Sequence, residues 1–147
     1  MKYDLIINKE KEEQVIVIVN ERNEIVDKIE KILFENDDYL LGYNNYDIVK
    51  IDYNDISCIF TEDNKVYTYN GNTKYLLKSR IFQLEKKLND DFIKINQGCI
   101  INIKSIYKFE STLMGAIKVV LKNGFSDYIS RRELTKVKRR IGLWKKQ

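Results

Sequence analysis

Two short apolar runs open the chain, YDLII (3–7) and VIVIV (15–19), with the charged stretch KEKEEQ between them. Their shortness and β-branching predict strands. After Asn23 the period lengthens. Ile25, Ile29, Ile32 and Leu33 recur at i, i+4, i+7 and i+8, the single stripe of a helix over 24–34. Asn23 is its expected cap, and Glu24–Lys28 and Asp27–Lys31 are supporting i,i+4 pairs. From Tyr39 the pattern becomes a series of short strands: LLGY, DIVKI, then DYNDISCIF with Ile56, Cys58 and Phe60 alternating. Glu62-Asp63-Asn64 turns the chain into KVYTY, with Val66 and Thr68 facing one way and Tyr67 and Tyr69 the other. NGN (70–72) is a hairpin signal, and TKYLL pairs back. Ser79 is the expected cap of a helix over 80–89 with Ile81, Leu84 and Leu88 inward. FIKINQGCIIN reads as a strand, a polar break and a strand. SIYKFE, AIKVVL and FSDYI follow, separated by STLMG and Asn123-Gly124 turns. A basic helix over 131–142, with its seam at Leu134, Val137 and Ile141, ends the pattern.

The implied fold is mostly β with short helices, preceded by a small ββα extension. The extension, residues 1–41, carries apolar faces that need a cover: a second domain, or a second subunit, in which case it is a dimerisation element. GYNNYD (42–47) is the expected boundary, and residues 42–147 form the main domain. A length of 147 residues suits this arrangement. No apolar run approaches the roughly eighteen residues of a membrane helix. The N-terminus lacks a signal-peptide core, because Asp4 interrupts it. A cytoplasmic protein without direct membrane insertion is therefore expected.

Charge sharpens the picture. Residues 1–93 hold 13 Lys or Arg against 19 Asp or Glu, a net −6. Residues 94–147 hold 13 against three (Glu110, Asp127, Glu133), a net +10. A basic field confined to one part of a chain is the footprint of a polyanion binder. Enzyme chemistry finds little support. The chain has no histidine, no Gly-rich phosphate loop and no metal-ligand spacing, and Ser105 and Ser130 lack an activating base. Cys58 and Cys99 lie among apolar residues and read as buried free thiols, too few for an all-cysteine zinc site. Neither metal nor cofactor is expected. Asp90-Asp91 reads as loop acids, and Tyr67, Tyr69, Tyr107 and Phe109 as strand faces rather than base-stacking platforms.

The remaining candidates suit nucleic acid. Arg and Lys contact phosphates or guanine, and Asn and Gln pair with adenine. Asn96 and Gln97 sit at a strand break, and Gly98 permits tight reversal or close approach to phosphate. Arg131 and Arg132 open the last helix, where the dipole disfavours them. NQG also reads as an ordinary turn, and Lys136 to Lys146 as a solvated helix face.

These strings resemble the LytTR family of DNA-binding domains over about Lys50 to Leu143. IDYNDISCIF with KVYTY resembles the family's D-I-x-Y-I-E and V-x-I strands, and RIFQLEKKL its short helix. FIKINQGCIIN is similar to Phe-x-Arg-x-His-x-Ser-x-x-Val-Asn, with Phe92, Ile101 and Asn102 in the structural places. Lys94 replaces the common arginine, Asn96 the histidine and Gly98 the serine. LKNGFSDYISRREL resembles the motif ending in Ser-Arg-Arg. The resemblance implies small stacked β-sheets whose loops enter the major groove of double-stranded DNA. It also implies paired copies on direct repeats and a stand-alone transcription regulator. Arg131 is then the leading DNA contact, with Asn96, Gln97 and Arg132 beside it and Lys94, Lys108 and Lys136 on phosphates. The competing expectation is a protein-interaction module, an antagonist that pairs with another LytTR regulator without binding DNA itself.

Overall fold

Strand-forming composition becomes a strand only where a partner completes its hydrogen bonds, and the two ends of the chain differ in this. The computed structural model describes residues 2–34 and 38–142. It divides into two compact units, Met1–Asp37 and Asp38–Gln147. In the first, helix α1 (Glu24–Phe34) forms as expected. The Asn23 side chain caps it, Oδ1 accepting from the backbone N–H groups of Ile25 (3.0 Å) and Val26 (3.1 Å). Arg22 bridges Asp27 and Glu30. The expected strands YDLII and VIVIV do not form: 3–7 and 15–19 carry no strand, and none of residues 2–33 is buried. Among its described residues the extension is therefore one helix preceded by chain without strands, not a ββα unit.

Among its described residues the second unit holds ten strands: β1 (Tyr39–Asn44), β2 (Asp47–Asp52), β3 (Cys58–Glu62), β4 (Lys65–Asn70), β5 (Thr73–Leu77), β6 (Phe92–Asn96), β7 (Cys99–Asn102), β8 (Ile106–Ser111), β9 (Ile117–Leu121) and β10 (Ser126–Tyr128). Helix α2 (Ile81–Lys87) precedes β6, and α3 (Arg131–Ile141) ends the fold. GYNNYD does not separate domains. It is the tip of the β1–β2 hairpin, with Asn45 at positive φ. The Asp63-Asn64 and Gly71-Asn72 turns form as the sequence predicts, Asp63, Asn64 and Gly71 taking the positive φ of two-residue hairpins. Helix α2 starts one residue later than the Ser79 signal implies. Arg80 occupies the cap position, and the Gln83 carboxamide accepts from its backbone N–H at 2.9 Å.

All pairings are antiparallel, in a seven-stranded sheet ordered β2-β1-β5-β4-β3-β7-β6 and a three-stranded sheet ordered β10-β9-β8. Alternation along the strands sends apolar residues to two cores. Ile51, Ile59, Val66, Leu77 and Ile100 pack on one face with Ile81, Leu84 and Leu88 of the α2 segment. Cys58, Phe60, Ile95, Cys99 and Ile101 pack on the other with Ile117, Val119, Leu121 and Val137. Ile56 departs from the expected alternation and joins the α2 core. It follows the 3-10 turn Tyr53–Asp55 and precedes β3, so the strand period does not reach it.

Candidate nucleic-acid interface

The β6–β7 hairpin places the polar break. Lys94 is opposite Ile100 and Asn96 opposite Cys99, so a bulge lies between them. It brings Asn96 onto the face of Ile95 and β10, and leaves Lys94 on the α2 face. The turn is Gln97-Gly98. Gln97 is exposed and makes no hydrogen bond among the described residues. Gly98 is not among the positive-φ glycines. A Cβ there would meet Thr61 at an ordinary 3.4 Å, so the turn does not demand glycine.

The Asn96 carboxamide, expected to face DNA, is engaged within the protein. Nδ2 donates to the Tyr128 carbonyl (2.8 Å) and to Asp127 Oδ2 (3.1 Å), and Oδ1 accepts from the Gly98 N–H (2.9 Å). A backbone bond from Ser130 N to Ile95 O (2.8 Å) runs beside it. Ser130 is also the N-cap of α3, its hydroxyl accepting from Glu133 N at 3.4 Å. Fully buried Val137, with Leu134 and Ile141, anchors the helix. Its first turn therefore starts beside the β6–β7 turn, and Arg131 and Arg132 leave it exposed.

The three acids of the basic segment are all spent internally. Glu110 pairs with Lys108 (2.8 Å) and Lys118 (3.2 Å), and Glu133 with Lys136 (2.9 Å). Asp127 accepts from Asn96 and from the Tyr128 N–H. The hydrogen bond with Lys108 holds the Glu110 carboxyl below its ordinary range and raises the Lys108 ammonium above its own. Lys94, Lys122, Arg131, Arg132 and Arg139 have no ion-pair partner among the described residues.

The structure thus gathers Gln97, Arg131 and Arg132, with Lys136 one helical turn beyond Arg132 on the same face. It sets Lys94 across the large sheet. Lys108 stands on β8, separated from β10 by β9. Phe92 packs edge-on against Tyr53, with ring centroids 6.0 Å apart, and Ile101 is fully buried. Asn102, 3 % exposed, donates to Ile56 O (3.1 Å) and accepts from Lys104 N (2.9 Å), capping the 3-10 turn Ile103–Ser105. Sequence reasoning missed Asp127, although an acid isolated in so basic a segment is itself a signal. Burial pushes the Cys58 thiol up to about 12 and the Cys99 thiol higher still. Among the described residues no three His, Cys, Asp or Glu side chains cluster as metal ligands, and no helix is long and apolar enough to cross a membrane.

The comparisons with known proteins converge on one family. The sequence profile of the LytTr DNA-binding domain matches residues 46–142. Uncharacterized HTH-type transcriptional regulators of Staphylococcus aureus strains MSSA476 and MW2 are each 32 % identical over 146 residues, covering 97 % of this chain and 99 % of theirs. The helix-turn-helix in their names differs from the fold seen here: among the described residues five strands separate α2 from α3, so these helices form no helix-turn-helix. Among solved structures, the LytTr DNA-binding domain of a protein described as a methyl-accepting/DNA response regulator from Bacillus cereus superposes with a TM-score of 0.67. It is 15 % identical, and the match covers 72 % of this chain and 98 % of that one. The stacked sheets, the matched span and the full-length relatives agree: the chain belongs to the LytTR DNA-binding domain family.

Proposed function

We propose that this chain is a sequence-specific transcription regulator that binds double-stranded DNA. The β6–β7 turn and the first turn of α3 enter the major groove together. One observation carries the reading: the Ser130 N–Ile95 O bond joins the two elements that bear Gln97, Arg131 and Arg132. Gln97 and Arg131 read base edges, while Arg132 and Lys136 hold phosphates. The Lys136–Glu133 pair is no obstacle, because an exposed pair contributes little and exchanges for phosphate. Lys94 and Lys108 stand on other surfaces and contribute mainly through the positive field. Two copies bind direct repeats as a homodimer. Family membership puts the protein among DNA-binding regulators rather than enzymes. Gel-shift titration of the full chain against its own promoter region tests the reading. Salt-dependent binding that Arg131→Ala weakens is expected, and no binding at low salt would refute it.

The extension favours a second reading, a protein-interaction module. Leu5, Ile6, Ile7, Val15, Ile16, Ile18 and Ile32 are all exposed, an apolar content suited to a partner. Light scattering of the full chain, with and without Ile16→Asp and Ile32→Asp, separates the cases. An unchanged mass would argue against pairing through this segment.

A further inference from the structure

An asparagine that reads adenine needs a free donor and a free acceptor on one side chain. Asn96 has no free donor to offer. Both N–H groups of its carboxamide are donated, and its oxygen already accepts from Gly98. Its partners Asp127 and Tyr128 lie 31 and 32 residues away in sequence, on the strand that leads directly into α3. Asp127 would repel phosphate if it faced outward. It is turned inward instead, with Oδ1 on the Tyr128 N–H at 2.8 Å and Oδ2 on Asn96. With the Ser130–Ile95 bond, the two bonds donated by Asn96 make three hydrogen bonds between the β6–β7 turn and the approach to α3. Gln97 is the next residue out, exposed beyond the last tie.

We infer that Asn96 and Asp127 are positioning residues. They fix the separation and tilt between the β6–β7 turn and the first turn of α3, and base selection passes to Gln97 and Arg131. The inference rests on the DNA-binding reading above. It assigns the amide side chains of NQG opposite tasks, one holding and one reading. A residue that only holds contributes equally to every DNA sequence, because misplacing two contact elements costs affinity wherever they land. A residue that reads contributes at one base pair.

The test uses the full chain and a set of duplexes in which each base pair of the bound site is changed in turn. Asn96→Ala should weaken binding to all duplexes by a common factor, about tenfold, and leave the rank order of bases intact. Asp127→Asn keeps a carbonyl oxygen for the Asn96 donor and should retain the rank order with a smaller loss. Asp127→Ala should behave like Asn96→Ala. Gln97→Ala should flatten the preference at one or two base pairs. A DNA-free measurement accompanies these: amide exchange at Gly98 should quicken about tenfold in Asn96→Ala. Loss of preference at a single base pair in Asn96→Ala, with Gln97→Ala leaving every preference intact, would overturn the inference. So would unchanged Gly98 exchange. The exchange arm needs no DNA, so failure of the wild-type chain to bind any duplex would fall on the DNA-binding reading and remain distinct from failure of the clamp.

Discussion

Replacing Asn102 by alanine removes two hydrogen bonds at a site where water cannot replace both. Asn102 Nδ2 donates to the Ile56 carbonyl in a buried setting, and Oδ1 accepts from the Lys104 N–H in a partly buried one. A buried polar group left without a partner costs about 1–3 kcal/mol. The Ile56 carbonyl bears that cost in full, since Ile56 itself is fully buried. The Lys104 N–H lies near the surface, so water recovers part of its loss. The sum for Asn102→Ala is about 2–4 kcal/mol. In a domain of about a hundred residues, each kcal/mol lowers Tm by about 4–8 °C. Urea unfolding of the full chain at pH 7, followed by circular dichroism, measures the change through the midpoint at constant m. A loss below about 1 kcal/mol would refute the reasoning and show that the 3-10 turn does not depend on its cap. Asn102→Asp separates the two bonds. It keeps an acceptor for Lys104 but places a charge against the Ile56 carbonyl. The folded state then raises the new carboxyl's pKa, so its stability should be highest below the ordinary carboxylate range and fall as pH rises through the raised value.

Other consequences are checked as directly. Cys58 and Cys99 should resist thiol reagents in the native protein and react in denaturant. Because folding raises both thiol pKa values, their contribution to stability is complete below the ordinary thiol value of about 9 and is lost as pH rises toward about 12 for Cys58, read as a falling urea midpoint in alkali. Gly42→Ala would set a Cβ 2.7 Å from Ile51 Cδ1 and 2.8 Å from Tyr75 Cβ, so thermal unfolding should show a loss of about 1–3 kcal/mol. Arg132→Ala and Lys136→Ala should each weaken binding to all duplexes alike and reduce the salt slope of log K by about one, measured by fluorescence anisotropy. A base-selective effect would move either residue from phosphate to base.

Local pattern foretold the elements whose partners are near in sequence. The hairpins at Asp63-Asn64, Gly71-Asn72 and Asn123-Gly124, the Asn23 cap and the α3 seam all depend on residues a few positions apart. The misses share a different cause. YDLII and VIVIV have strand composition, but composition alone pairs nothing, and among the described residues the sheet ladders begin at Tyr39. GYNNYD reads as a domain boundary because the residues that make turns also mark boundaries. The Ser79 cap moved to Arg80 because Gln83, three residues on, satisfies that position's N–H. Asn96 was legible as a special residue but not as a clamp, because its partners stand more than thirty positions away. The bulge that turns it toward them leaves no local mark.

The large sheet separates two cores, and the exposed side chains of the β6–β7 turn and the α3 start belong to neither. Gln97 or Arg131 can therefore be exchanged without repacking anything beneath it. On the proposed reading, target preference is free to drift at these outward positions while the scaffold is held constant. Change at Asn96 or Asp127 is more constrained, because each must be matched by its distant partner. The architecture thus divides its positions into those that diverge singly and those that must change in concert.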